Sequence, residues 1–320
     1  MPARTDYCAW RGGALVATDV KSAAKRIVLT RAAGQNESLR AELTKILGNS
    51  ARIIELPCVE FREPDETAAL DGAIRSIGDF AWILFTSQNA VRYFARRMRA
   101  LGIDPAQRAK NARIGAIGPA TAEATAAEGF AVDFVPSPGT GRTFAGCFKD
   151  SIRSVAGMEV KNPTASFLRD VAGMKILIPR SDLALRDRGA TDWTEALSEA
   201  GANVTTVSAY KTCAPKALAG PPLAEIMRDG ADCFVFASPS AFENFARAAG
   251  ADNLRRIAGE SAFAAIGPTT AAAIRKAGLP CEIESPSPHA RRLAEAIAAH
   301  LKNPRHGTIG ATSRQGAKPI

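Results

Sequence analysis

The sequence predicts an α/β protein built on parallel sheets, and three observations predict it. Apolar strand-like runs alternate with segments of helical periodicity. The whole pattern occurs twice, with a period of about 150 residues. The composition, 46% hydrophobic and 23% charged over 320 residues, is that of an ordinary folded chain. At roughly 150 residues per domain, this length allows two domains.

Residues 1–25 read as a flexible arm, mixing charges without the apolar block of a secretory signal. Arg26-Ile27-Val28-Leu29-Thr30-Arg31 is then a short apolar run of the kind that forms buried parallel strands. Leu39, Leu43, Ile46 and Leu47 recur at helical spacing, with Gly48 as a C-terminal cap. Ala51 to Pro57 reads as the second strand, completing a βαβ unit.

From there the chain repeats itself. Trp82-Ile83-Leu84-Phe85-Thr86-Ser87-Gln88-Asn89-Ala90-Val91 corresponds to Cys233-Phe234-Val235-Phe236-Ala237-Ser238-Pro239-Ser240-Ala241-Phe242, each an apolar strand, a serine turn and an amphipathic helix. Ala116-Ile117-Gly118-Pro119-Ala120-Thr121-Ala122 corresponds to Ala265-Ile266-Gly267-Pro268-Thr269-Thr270-Ala271; both helices open on a proline and stop at a glycine, Gly129 or Gly278. Short strands ending in Pro136-Ser137-Pro138 and Pro286-Ser287-Pro288 complete the two copies. Val28 to Arg31 pairs with Leu177 to Arg180, and Gly48 to Leu56 with Gly201 to Tyr210. Two five-strand α/β plans are therefore expected. Lys149 to Met174 and Arg186 to Thr191 read as surface insertions, and residues 302–320 as a basic, disordered tail.

Composition narrows the chemistry. The 41 basic and 32 acidic residues leave a net charge of +9, and the three histidines, His289, His300 and His306, all lie near the C-terminus. A Ser-His-Asp triad or a histidine-rich metal site would have to recruit that end. Cys8, Cys58, Cys147, Cys213, Cys233 and Cys281 form no CxxC pair, so reduced thiols in a cytoplasmic protein are expected. No apolar run approaches the ~18 residues of a spanning helix. Neither GxGxxG after a strand nor GxxxxGK[ST] occurs, and Gly139-Thr140-Gly141-Arg142 follows the last strand of its copy and reads as a turn.

Ligands of open α/β sheets bind beyond the carboxyl ends of the strands, where helix N-termini favour anions. The polar residues at that edge are Thr30 and Arg31, Thr86 to Asn89, Gly118 to Thr121, Arg180 and Ser181, Ser238 to Ser240, and Gly267 to Thr270. Each group would also serve as an ordinary helix cap. Six on the same edge of two sheets suggest an inter-domain cleft. Tyr210 ends a strand beside Lys211 and Thr212, and a phenol near a cation can assist a leaving oxygen as acid or hydrogen-bond donor. It could equally be a packed strand tyrosine. Arg92, Arg96, Arg97 and Arg99 fit a solvated helix face better than a ligand patch.

The motifs Phe85 to Val91, Ile117 to Ala122, Ile178-Pro179-Arg180, Tyr210-Lys211-Thr212, Phe236 to Ser240 and Ile266 to Ala271, in that order, resemble the uroporphyrinogen-III synthase family. The resemblance runs from about Arg26 to Leu301; Ala237 stands where the family has threonine. It implies two similar flavodoxin-like domains, each a five-stranded parallel sheet flanked by helices, joined by a two-stranded linker. Domain 1 would comprise residues 26–57 plus 214–301, and domain 2 residues 60–211.

The implied reaction closes hydroxymethylbilane to uroporphyrinogen III, inverting ring D and losing water, with no cofactor. Tyr210 would assist hydroxyl departure, while Arg31, Ser87, Asn89, Gly118, Thr121, Arg180, Ser238, Gly267 and Thr270 would hold substrate carboxylates. The partners implied are this polycarboxylate substrate and a transient hand-over from the preceding pathway enzyme. A cytoplasmic monomer without nucleic acid or membrane completes that expectation. A two-lobed small-molecule binding protein without catalytic activity is the alternative class. A nucleic-acid binder would use the +9 charge, but no helix-turn-helix or aromatic platform supports it.

Overall fold

The computed structural model describes residues 24–108, 112–136, 172–186 and 193–302. The N-terminal arm up to residue 23, the Gly139 to Arg142 turn, the 150–170 insertion, residues 187–191 and the tail from residue 303 lie outside the described residues.

Two five-stranded sheets organise the chain. The first contains β1 (Lys25–Leu29) and β2 (Ala51–Glu55) from the first sequence copy. It also takes β8 (Cys233–Phe236), β9 (Ala262–Ala265) and β10 (Ile283–Glu284) from the second, in the order β10-β9-β8-β1-β2, all parallel. The second sheet contains β3 (Glu60–Arg62), β4 (Trp82–Phe85), β5 (Arg113–Ala116), β6 (Lys175–Ser181) and β7 (Asn203–Cys213), in the order β3-β7-β6-β4-β5. Each sheet thus mixes strands from both sequence copies.

The second sheet departs from the all-parallel expectation. Four of its strands are parallel, but β3 runs antiparallel to β7, pairing Glu60 with Cys213, Phe61 with Thr212 and Arg62 with Lys211. This pairing also carries β7 past Tyr210, which therefore sits inside a strand and not at its end. The short strand expected before Pro136 is reduced to one bridge, Gly115 to Phe134.

Helices cover both faces of each sheet. Around the first sheet lie α1 (Glu37–Leu47), α8 (Pro221–Asp229), α9 (Pro239–Ala249), α10 (Ala251–Glu260), α11 (Pro268–Lys276) and α12 (Ala290–Lys302). With the second go α2 (Ala68–Arg75), α3 (Gln88–Ala100), α4 (Pro105–Arg108), α5 (Pro119–Ala127), α6 (Asp182–Arg186) and α7 (Trp193–Glu199). Strand side chains alternate between the two layers. Ile27 and Leu29 pack with Leu39 of α1 and Ile297 of α12, whereas Val28 packs with Phe242 and Phe245 of α9.

Phenylalanines dominate the α9 side. Phe234 lies 5.0 Å from Phe245, and Phe236 meets Phe242 edge-on at 5.4 Å. Truncating one such buried ring costs about 3–5 kcal/mol, so this layer holds the first sheet together. In the second sheet Phe85, Phe94 and Phe130 play the corresponding part.

Strand order reverses between β1 and β8 in the first sheet and between β4 and β6 in the second. The loops leaving adjacent strands diverge there and open a crevice at the carboxyl edge.

Candidate functional site

The repeat is reproduced in backbone geometry at these crevices. Ser87 caps α3 with φ −160° and ψ 155°, its Oγ accepting from Ala90 N at 3.1 Å. Ser238 caps α9 with φ −159° and ψ 155°, accepting from Ala241 N at 3.2 Å. Gly118 and Gly267, both extended, cap α5 and α11 ahead of Pro119 and Pro268. A Cβ at Gly267 would meet nothing within 4 Å. Proline has no N–H to satisfy and its fixed φ suits the first helical position, so these starts are set locally.

Tyr210 is held at the reversal point of the second sheet. Its Oη lies 3.3 Å from Ser87 Oγ, and Ser181 at the end of β6 is its ladder partner, close enough for the serine hydroxyl to lower its pKa. The ring is enclosed by Phe61, edge-on at 5.6 Å, and Tyr93, stacked at 5.7 Å; Tyr93 in turn donates to Phe61 O at 2.6 Å. Burial pushes the phenol above its ordinary range, and the serine hydroxyls oppose this more weakly. Tyr210 is therefore a protonated hydrogen-bond donor at neutral pH. The cation expected beside it is engaged elsewhere: Lys211 pairs with Asp65, and successive residues of a strand face opposite ways.

A cleft of about 540 Å³ runs between the two sheets, within the usual range for ligand pockets. Ala32, Ala33 and Gln35 from the β1–α1 loop form one wall, and Asn89, Arg92 and Tyr93 of α3 face them. Leu218, in a 3-10 turn at Lys216–Ala219, adds to the apolar lining. Gln35 Nε2 donates to Asn89 Oδ1 at 3.4 Å, joining a loop of the first sheet to a helix of the second. Tyr210 stands one aromatic layer behind this cleft, through Phe61 and Tyr93.

The other expected residues divide into three groups. Arg31, half-buried after β1, precedes Ala32 of the cleft wall; burial lowers its pKa, and no carboxylate among the described residues pairs with it. Thr121 and Thr270 are buried, 6% and 1% exposed, inside the first turns of α5 and α11. Arg180 is directed away from Tyr210. It lines a smaller groove of about 150 Å³ with Thr194, Val204 and Thr206, on the face where Ile176 and Ile178 meet Leu197 of α7.

Sequence reasoning passed over Gln35, Phe61 and Tyr93, and placed Ser181 at the ligand edge without giving it a role. A helical-face reading would have found part of this set, since Asn89, Arg92 and Tyr93 are spaced i, i+3, i+4. Among the described residues no group of three or more His, Cys, Asp or Glu side chains is placed to hold a metal ion, and no helix is long and apolar enough to cross a membrane.

The chain is similar to known proteins in sequence and in fold. A family model described as uroporphyrinogen-III synthase HemD matches residues 38–295. The uroporphyrinogen-III synthase of Synechococcus elongatus is 30% identical over 250 residues, covering 77% of this chain and 84% of that protein. That of Chlorobaculum parvum is 25% identical over 224 residues, covering 70% and 80%. In fold, the chain resembles a mutant uroporphyrinogen III synthase from Thermus thermophilus, with a TM-score of 0.56, 16% identity, and 87% and 99% of the two chains covered. The synthetase from Helicobacter pylori gives a TM-score of 0.51 with the same identity and coverage.

Proposed function

The chain belongs to the uroporphyrinogen-III synthase family, and we propose that the cleft between its two sheets is where hydroxymethylbilane is closed to uroporphyrinogen III. The protein is a cyclising hydro-lyase of tetrapyrrole biosynthesis. Loss of the substrate hydroxyl gives a resonance-stabilised azafulvene. The substituted carbon of ring D attacks it to form a spiro intermediate, which fragments and recloses with ring D reversed. Water is the only other product.

The substrate also cyclises unaided to the uninverted isomer I. The task of the protein is therefore to fold the chain so that the substituted carbon, and not the free one, reaches the azafulvene. Crevices at the carboxyl edges of two sheets suit a long, flexible polycarboxylate. In this reading Ser87, Asn89, Gly118, Ser238 and Gly267 present helix-start N–H groups and hydroxyls to carboxylates, and Arg31 supplies charge from the β1–α1 loop. Thr121 and Thr270 support those turns from inside. Arg180, on the other face of its sheet, acts at most on a distal substituent.

In this reading the departing hydroxyl enters the carboxyl-edge crevice beside Ser87, behind the Phe61–Tyr93 wall of the cleft, and Tyr210 donates its phenolic proton or a hydrogen bond to it there. The observation that carries this reading is the buried, protonated Tyr210 held beside Ser87 at the reversal point, one aromatic layer from the cleft. Each sheet is the core of one domain, residues 26–57 plus 214–301 and 60–211, linked by the β3–β7 ladder. A cytoplasmic monomer that takes its substrate directly from the preceding enzyme completes the proposal. The test is to supply hydroxymethylbilane and identify the product: isomer III is expected, and isomer I alone in the presence of folded protein would overturn it.

A further inference from the structure

We propose that Arg92 is a specificity-determining residue that holds a carboxylate of the substrate at the polar end of the cleft; this deepens the functional reading above and rests on it. The four arginines of α3 look alike in sequence, but the structure separates one from the rest. Arg97 makes a two-pronged pair with Asp71, both contacts 2.6 Å. Arg96 pairs with Glu63 at 3.1 Å and Arg99 with Glu128 at 2.7 Å. Arg92 has no carboxylate partner among the described residues, and it is the one of the four that lines the cleft.

The two carboxylates that line the same cleft are already neutralised, Glu55 by Arg40 and Glu60 by Arg62. Arg92 is therefore an uncommitted charge beside walls formed by Leu56, Val59, Phe61 and Leu218. It shares a helix face with Asn89, which is bridged to Gln35 across the cleft. A ligand suited to this place has an apolar ring for the walls and an anionic substituent for the guanidinium, as a pyrrole bearing a carboxylate arm does. The guanidinium is exposed, so its gain is that of a partly screened ion pair and is felt in binding more than in turnover.

Steady-state kinetics of Arg92→Gln, with Arg96→Gln as the control from the same helix, test the assignment. Arg92→Gln should raise KM roughly fivefold with kcat within about twofold. Arg92→Lys should recover part of the loss, and Arg96→Gln should match the wild type. Added salt should raise the wild-type KM more steeply than that of Arg92→Gln. If the wild type forms isomer III and Arg92→Gln is indistinguishable from Arg96→Gln, the role of Arg92 is refuted while the functional reading stands. If the wild type forms no isomer III, the functional reading fails and this inference falls with it.

Discussion

Replacing Tyr210 by phenylalanine removes one oxygen from a site whose surroundings are otherwise kept. The ring retains its contacts with Phe61 and Tyr93. Ser87 loses a partner 3.3 Å away but keeps its bond from Ala90 N, so its hydroxyl is not stranded. The cost in stability is therefore about 1 kcal/mol, or roughly 2–4 °C in Tm for a unit of this size. The effect on rate should be larger. A positioned acid contributes typically 10²–10⁴-fold, and because this substrate loses its hydroxyl readily without help, the lower end applies: about 100-fold in kcat, equivalent to about 2.7 kcal/mol. As the catalysed route slows, the unaided route claims more substrate and the proportion of isomer I rises. The assay is product analysis by isomer alongside circular dichroism and thermal melting. A variant that melts normally and keeps kcat within twofold of the wild type would remove Tyr210 from the mechanism.

Further outcomes follow from the same geometry. Burial raises the Tyr210 pKa, so the phenol stays protonated past its ordinary value near 10, and it should cause no loss of rate between pH 7 and about 9. An alkaline fall in that window that disappears in Tyr210→Phe would contradict this assignment. The Arg97 guanidinium holds the Asp71 carboxyl below its ordinary range, so this pair stabilises the fold fully above pH ~4 and loses its effect as pH falls through the lowered value. Asp71→Asn should cost about 2 kcal/mol at pH 7, and the difference in melting temperature from the wild type should shrink on acidification; a constant difference down to pH ~2 would refute the linkage. Ser238→Ala removes the cap of α9 and should lower stability by about 1 kcal/mol, read by denaturant unfolding, whereas an unchanged midpoint would show the cap to be dispensable.

The legible parts of the fold were those dictated locally. Central strands such as Trp82–Phe85 and Cys233–Phe236 are buried on both faces and read as unbroken apolar runs. The helix starts at Ser87, Gly118, Ser238 and Gly267 carry their own cap chemistry, and all four were readable in advance. What stayed hidden depends on partners distant in sequence. Glu60–Arg62 is too short and too polar to announce a strand and exists as β3 only because residues 211–213 pair with it. The position of Tyr210 within β7 depends on the same pairing.

Side-chain direction was likewise illegible. Arg180 lies on the α7 face, while the next residue, Ser181, is the ladder partner of Tyr210 across a register irregularity. Their common place at the carboxyl ends of strands suggested one shared site for Arg180 and Tyr210, and the pleat separates them. Arg92 illustrates the same point, because whether an arginine is spent in an ion pair or left facing a cleft depends on Asp71, Glu63 and Glu128, which lie on other elements.

The central claim is that this chain directs ring closure and does not merely bind its ligand. Its most direct test is the partition between isomers as protein concentration is varied at fixed hydroxymethylbilane. Catalysed inversion competes with a constant unaided rate, so the fraction of isomer III should rise from near zero towards completeness as protein is added, and heat-denatured protein should leave it near zero. A fraction that stays near zero at every concentration of folded protein would contradict the account.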